Sequence, residues 1–406
     1  MKSAVHFRNL GTRLPAAIRL ACTTMLGATA LAAMPAMAGT ASVEPEESSV
    51  ATLAPPKPNW VYLQRGFVLP GTAIYDTADG KYLAQIETPI LGDLAIDPAG
   101  KYYYVAETAW TRRLHGTRQD YISVYDATTL KLEGDIDIPG RILVGSREHN
   151  FILSDDGKTG YIYDFSPISS INVVDLVKRK FVRNVELPGC ADLIPNPGVG
   201  LAALCSDGSL ASINLTGGKT DITRTDPFFS ATGDPIFDNV EFDQAKDEVV
   251  MVSYTGLVYT AKLGAKPTVS TPFSIQEAAG VRKGDTKPND VNWYPGGAQP
   301  IALHTASGHL FVLMHTGEYW THKRGASEIW DLDLASHKVV KRLPVEGEPN
   351  VINITQEAKP KLIVVGEGEG GSGAGLAGDA EVLDPATGEV KYTFKGAGSG
   401  LIQVFH

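Results

Sequence analysis

Apolar and polar residues along most of this chain alternate in short runs, each broken by a cluster of Gly, Asp, Asn, Pro or Ser. Such alternation predicts β-strands, whose side chains point to opposite faces with a period of two. Five segments repeat one pattern, a β-rich stretch ending in Asp, a polar turn, then another alternating strand. They are Ile74-Tyr75-Asp76, Val124-Tyr125-Asp126, Val173-Val174-Asp175, Trp330-Asp331-Leu332-Asp333 and Val382-Leu383-Asp384. The turns that follow, Thr77-Ala78-Asp79-Gly80-Lys81 and Pro385-Ala386-Thr387-Gly388-Glu389, have the chemistry of tight hairpins. Their position assigns the repeated aspartates to turn capping. The first three anchors are 50 and 49 residues apart, and Asp333 and Asp384 are 51 apart. Degenerate copies at Ser212-Ile213-Asn214-Leu215 and Tyr259-Thr260-Ala261-Lys262 bring the units to seven. A second element, Asp97-Pro98-Ala99-Gly100-Lys101 and Asp155-Asp156-Gly157-Lys158, precedes aromatic strands between anchors.

A period near 50 residues with several short strands per unit predicts a seven-bladed β-propeller over residues 59–406. A β-sandwich array is the alternative. Each blade buries its faces only against neighbours, so the ring must close, and Leu401–His406 is the candidate strand to complete the sheet begun near Trp60–Leu63. Only Ser274–Val281 has helical spacing.

The first 38 residues differ from the rest. They carry Lys2, Arg8, Arg13 and Arg19, no acidic side chain, an apolar run from about Leu20 to Ala33, and Ala36-Met37-Ala38. This predicts a secretory signal peptide cleaved after Ala38 and a periplasmic mature chain. A membrane anchor would want about 20 apolar residues, more than this run supplies. Cys22 precedes most of the apolar run, and Arg19 stands against a lipoprotein reading. Residues 39–58, acidic and then Pro-rich, read as a flexible tail. Loss of the leader takes the formal charge from −10 to −14, which repels nucleic acid and anionic lipid. Cys190 and Cys205 remain, and in an oxidising compartment an even pair is most simply one disulfide.

The search for chemistry is largely negative. There is no G-x-S-x-G elbow, P-loop, H-E-x-x-H, C-x-x-C or C-x-x-C-H. The run Gly366–Gly378 lies between two strands, so no helix N-terminus is there to hold a phosphate; it reads as a mobile surface turn. His304, His309, His315 and His322 do not match zinc spacing; alternation puts Leu310, Val312 and Met314 on one face, with His309 in a turn before them and His315 in the next. No metal site is expected, and the chain has no recognisable catalytic motif of its own. Carboxylates paired by converging blade loops would leave no local pattern, and that question stays open.

Several segments carry a family resemblance, in order along the chain. They are Gly116-Thr117-Arg118-Gln119-Asp120-Tyr121 running into Val124-Tyr125-Asp126, Phe165-Ser166-Pro167 before Val173-Val174-Asp175-Leu176, Cys190 and Cys205 with Asp207-Gly208-Ser209-Leu210, Asp234-Pro235-Ile236-Phe237, Trp293-Tyr294-Pro295-Gly296-Gly297 before Leu303-His304, and Thr321-His322-Lys323 before Glu328-Ile329-Trp330. Together they resemble the large subunit of the quinoprotein amine dehydrogenases, the methylamine and aromatic amine enzymes, with details nearer the aromatic branch. The resemblance implies a seven-bladed propeller in an α2β2 heterotetramer whose small subunit carries tryptophan tryptophylquinone and the catalytic base. It implies oxidative deamination of a primary amine to aldehyde and ammonia, with electrons passing to a blue-copper protein. The chain itself would carry no cofactor, and its five tryptophans are explained by packing. The family lines the substrate channel with a phenylalanine after the first blade's hairpin; an ungapped reading from Gln85 to Asp126 puts Ile90 there, with Leu91 beside it. An aliphatic side chain cannot stack on an aromatic substrate, and ordinary blade-edge packing is the competing account of both residues. Trp110, Arg112 and Arg113, read as a loop between strands, are candidates to face the small subunit. The reading of a different class is a stand-alone exported propeller that binds a ligand or protein.

Overall fold

The computed structural model describes residues 52–65, 70–89, 92–112, 115–142, 145, 147–236, 239–366, 378–398 and 400–405. The leader, most of the glycine-rich run, Arg113, Phe237, Ile90 and Leu91 lie outside them.

Seven antiparallel sheets follow one another along the chain, each a blade of four or five strands. Blade one holds Trp60–Gln64, Thr72–Asp76 and Lys81–Ile86. Blade two holds Asp93–Ile96, Tyr102–Arg112, His115–Asp126 and Leu132–Ile138. Blade three has a divided inner strand, Arg141–Ile142 and Phe151–Leu153, then Thr159–Ser166, Ser170–Asp175 and Lys180–Glu186. Blade four runs Cys190–Asn196, Gly200–Cys205, Leu210–Asn214, Asp221–Arg224, and blade five Val240–Asp243, Glu248–Val252, Leu257–Lys262 with a split outer edge. Blade six again divides its inner strand, into Asn292–Pro295 and Ile301–His304, before His309–Gly317, Glu328–Asp333 and Lys338–Pro344. Blade seven is Val351–Ile354, Leu362–Val365, Gly378–Leu383 and Val390–Gly398. The degenerate copies are thus true strands of blades four and five.

The ring closes where the sequence predicts. Ile402–Val404 adds to blade one, with Leu63 opposite Ile402, Tyr62 opposite Gln403 and Val61 opposite Val404. Residues 52–58, assigned above to the tail, form no strand, yet Leu53 donates its N–H to Thr128 O at 2.9 Å and Pro56 is buried. Helix among the described residues is confined to Ile275–Ala278, capped by Ser274, and a 3-10 turn at Thr216–Gly218.

The core consists of seven apolar clusters, one between each neighbouring pair of blades. Ile171, Val173 and Val185 of blade three meet Leu193, Leu201 and Ile213 of blade four, for instance. Val61, Leu63 and Ile402 of blade one meet Val351, Ile363 and Val382 of blade seven across the closure. Central strands are therefore apolar on both faces. In His309–Gly317, Leu310, Val312 and Met314 face blade five while Phe311 and Leu313 face blade seven. A face buried only by the next blade has no stability of its own, which is why the ring needs its closing strand.

Cys190 and Cys205 sit directly opposite each other on neighbouring strands of blade four and form the expected disulfide, with Cα atoms 3.9 Å apart.

Candidate functional site

Antiparallel pairing puts the connections between blades and the turns joining second to third strands on one face of the ring. The remaining hairpins, including the turns after the repeated aspartates, lie on the other. On this hairpin face the repeated aspartates cap turns as expected. Asp126 Oδ1 accepts from Thr128 N and Thr129 N at 3.1 and 2.7 Å, Asp175 Oδ1 from Lys178 N at 2.8 Å, and Asp384 Oδ1 from Ala386 N at 2.8 Å. Asn214, in a degenerate copy, accepts from Thr216 N in the same way at 2.9 Å. Those backbone donors hold the Asp126 and Asp175 carboxyls below the usual range.

The loop face carries an aromatic cluster. His322 stacks on Tyr254 with centroids 4.2 Å apart, Trp320 meets Tyr254 edge-on at 5.6 Å, and Tyr319 lies 4.6 Å from Trp320. Tyr319 donates its hydroxyl to Gly233 O, which ties the blade-six loop to the blade four–five connection. Trp320 is 50% exposed and sits at φ +71°, a strained conformation for a bulky residue. A crevice of about 10 Å³ beneath, lined by Tyr254, Gly297, His322 and Lys323, has room for about one water. The connection from Lys81–Ile86 to Asp93–Ile96 opens on this face too; its channel candidates, Ile90 and Leu91, fall in the part not described.

Two local expectations need correction. His309 and His315 are not in turns but within the strand His309–Gly317. The strand tolerates them because each finds a neighbour: His309 Nδ1 lies 2.6 Å from Asp331 Oδ1, and His315 Nε2 lies 2.8 Å from Thr321 Oγ1. His304 Nδ1 is 2.8 Å from Ser307 Oγ, so the four imidazoles serve separate contacts. Burial, with Arg324 and His322 nearby, pushes the His315 ring down to about 4. Likewise Trp110 and Arg112 belong to the strand Tyr102–Arg112, because Trp110 pairs across to Arg118, whose guanidinium lies 5.5 Å from the indole centroid.

The ring axis holds what sequence reading missed. The divided inner strands of blades three and six, three blades apart, bring Glu148 and Gln299 of their interruptions together. Gln299 donates to Glu148 Oε1 at 2.5 Å and to Ile402 O at 2.9 Å, while its own Oε1 accepts from Ile402 N at 2.9 Å. A side-chain amide thus pairs with the closing strand as a peptide group would. His149 lies beside this plug, its ring nitrogens each 3.2 Å from a carbonyl, Leu193 O and Val240 O. Toward the loop face lies a void of about 20 Å³, lined by Tyr62, Gln64, Asp93, Arg147 and Gln403. Toward the hairpin face the axis opens into a cavity of about 680 Å³, with inner-strand residues such as Ile96, Phe151, Pro195, Phe242, Asn353 and Val404 among its walls. Glu148, Asp155 and Glu241 also line it, and among the described residues no Lys or Arg does. Burial and the Glu148 charge hold the Glu241 carboxyl well above its usual range. Here is a carboxylate pair of the kind blade loops can assemble. The only precursor in the sequence is the interruption of two inner strands, and it names no residue.

Comparison with known proteins matches this chain to a family model, methylamine dehydrogenase heavy chain, over residues 65–371. The methylamine dehydrogenase heavy chain of Methylobacillus flagellatus is 30% identical over 366 residues, 86% of this chain and 88% of that protein. That of Methylophilus methylotrophus is 29% identical over 300 residues, 73% of this chain and 72% of the relative. Among solved structures, the dihydro-heme d1 dehydrogenase NirN superposes with a TM-score of 0.56 at 12% identity, covering 87% of this chain and 77% of that one. Hydrazine synthase of Kuenenia stuttgartiensis gives 0.52 at 14%, covering 78% and 90%. At such identity the two structures share the fold alone.

Proposed function

The chain belongs to the methylamine dehydrogenase heavy chain family, and from that premise we propose that it is the scaffold subunit of a periplasmic α2β2 enzyme that deaminates a primary amine oxidatively to aldehyde and ammonia. The observation that carries this reading is the family match across 65–371, over most of the ring. The reaction needs a two-electron acceptor, and tryptophan tryptophylquinone on the small subunit supplies it before electrons leave singly to a blue-copper protein. Packing accounts for two of this chain's own tryptophans. Trp330 is fully buried between blades, Trp293 packs against it at 5.3 Å, and the Arg342 guanidinium lies 4.7 and 4.6 Å from the two rings.

In this reading the small subunit docks on the loop face. Tyr319, Trp320 and His322 present there the aromatic surface that protein interfaces favour. Ile90 and Leu91, in the connection from the first blade to the second, are the proposed wall of the substrate entrance. The plug at the axis keeps amine from reaching the quinone through the ring, so entry runs between the subunits.

The test is purification from the native host grown on amines. A small exported chain that co-purifies, with quinone absorbance that bleaches on adding a primary amine, is expected. A monomer without a chromophore defeats the proposal and favours the stand-alone binding propeller.

A further inference from the structure

We propose that the axial cavity on the hairpin face is a second ligand site, built for an organic monocation with an apolar body, such as an aryl or alkyl ammonium. It lies on the far side of the Gln299–Glu148 plug from the loop face, so it is not the substrate route described above.

Three properties converge on this ligand class. The first is size: about 680 Å³ is within the ~300–1,000 Å³ range of small-molecule pockets and far more than a bare ion fills. The second is charge. Among the described residues Glu148, Asp155 and Glu241 line the cavity with no Lys or Arg, and His149 is held between two backbone carbonyls. Glu241 has cavity on one side and the repulsion of Glu148 on the other, so an incoming cation would relieve a repulsion the fold already holds. The third is the wall. Phe242 and Phe405, both partly exposed, contribute ring surface, which attracts cations of low hydration by their π-faces. A divalent metal wants six or more oxygens at about 2.3–2.6 Å, and a cavity this wide with such walls would leave it largely hydrated. An ammonium head with a ring-sized tail satisfies carboxylates and apolar walls together.

The probe is phenyltrimethylammonium, which has no N–H and cannot react as an amine substrate. Titrated calorimetrically into the full protein purified from its host, it is expected to bind saturably, one per heavy chain. Glu241→Gln is expected to weaken it at least tenfold. Ala245→Trp, which places a bulky ring at the exposed mouth without altering a carboxylate, is expected to abolish binding; its position on an exposed turn keeps the fold out of the question. Absence of binding to the unaltered protein overturns the inference, as does binding that neither substitution changes. Saturation by calcium chloride with no response to phenyltrimethylammonium overturns it too, since the site would then be a metal site.

Discussion

Replacing Gln299 by Leu tests how much of the ring's stability runs through one side chain. Gln299 is 2% exposed, and its amide bonds both the N–H and the C=O of Ile402 as well as Glu148. Leucine has nearly the same volume, so packing changes little and the loss is polar. The Ile402 N–H, buried in the closing strand, is left without its acceptor, at a cost of about 1–3 kcal/mol. Ile402 O keeps the Asn353 amide at 2.8 Å, so it adds little. Glu148 loses a donor, and a hydrogen bond to a charged group contributes about 1.5–3 kcal/mol. The sum is about 2.5–6 kcal/mol. With an unfolding entropy of about 2.1 cal/mol/K per residue over roughly 350 ordered residues, this is a drop in Tm of about 3–8 °C. The assay is scanning calorimetry at fixed scan rate, joined to hydrogen exchange at the Ile402 amide, which should lose protection before the central strands do. A Tm within 1 °C of the unaltered protein, with Ile402 still protected, would refute the claim that Gln299 pins the closure.

Three further outcomes are expected. His315 is held neutral in the fold with a ring pKa of about 4 against about 6.5 unfolded, so its contribution is complete above pH 6.5 and lost as pH falls toward 4, at no more than about 1.4 kcal/mol per pH unit; His315→Gln should flatten stability against pH in that window, and NMR titration of the ring midway through it would contradict the burial argument. The Cys190–Cys205 bridge closes a loop with a sequence separation of 15, so reduction or the double Ala variant should cost about 3 kcal/mol, near 4 °C in Tm; unchanged melting after complete thiol exposure would remove it from the stability argument. On the proposed channel, Ile90→Phe should lower kcat/KM for bulky amines more than for short ones, and an equal effect across chain lengths would assign Ile90 to packing alone.

Features that rest on local chemistry were legible in the sequence. An aspartate two or three residues before backbone N–H groups makes its turn wherever it stands, so Asp126, Asp175 and Asp384 mark blades by themselves. The closing strand was legible because a ring with an open blade would expose faces like that of Val61 and Leu63. Where the pattern depends on cross-strand partners, it failed. His309 and His315 looked like turn residues because histidine next to a glycine turn is ambiguous; Asp331 and Thr321, which accommodate them, come from the next strand and the loop before it. Trp110 and Arg112 looked like a loop because the pairing of Trp110 with Arg118 extends the hairpin beyond its apolar core. The axial plug was invisible for the same reason at longer range. Glu148, Glu241 and Gln299 come from three blades, and no spacing relates them until the ring has closed.

The plug also bears on the proposed role of this propeller as a scaffold subunit. An open axis joins the two faces of a ring, so solvent and small ions can pass to whatever docks on one of them. Here Gln299 and Glu148 meet across the axis, and the hydrogen bonds from Gln299 to Ile402 join that barrier to the strand that closes the ring. Closure and plug therefore share one side chain, since Gln299 bonds both Ile402 and Glu148. A quinone-bearing partner on the loop face would gain from this, since water reaching it from behind would compete with the amine. The Gln299→Leu variant separates the two roles. If sealing matters beyond stability, the assembled enzyme should lose coupling between amine consumed and electrons delivered well below its Tm; if only closure matters, coupling should hold until the protein unfolds.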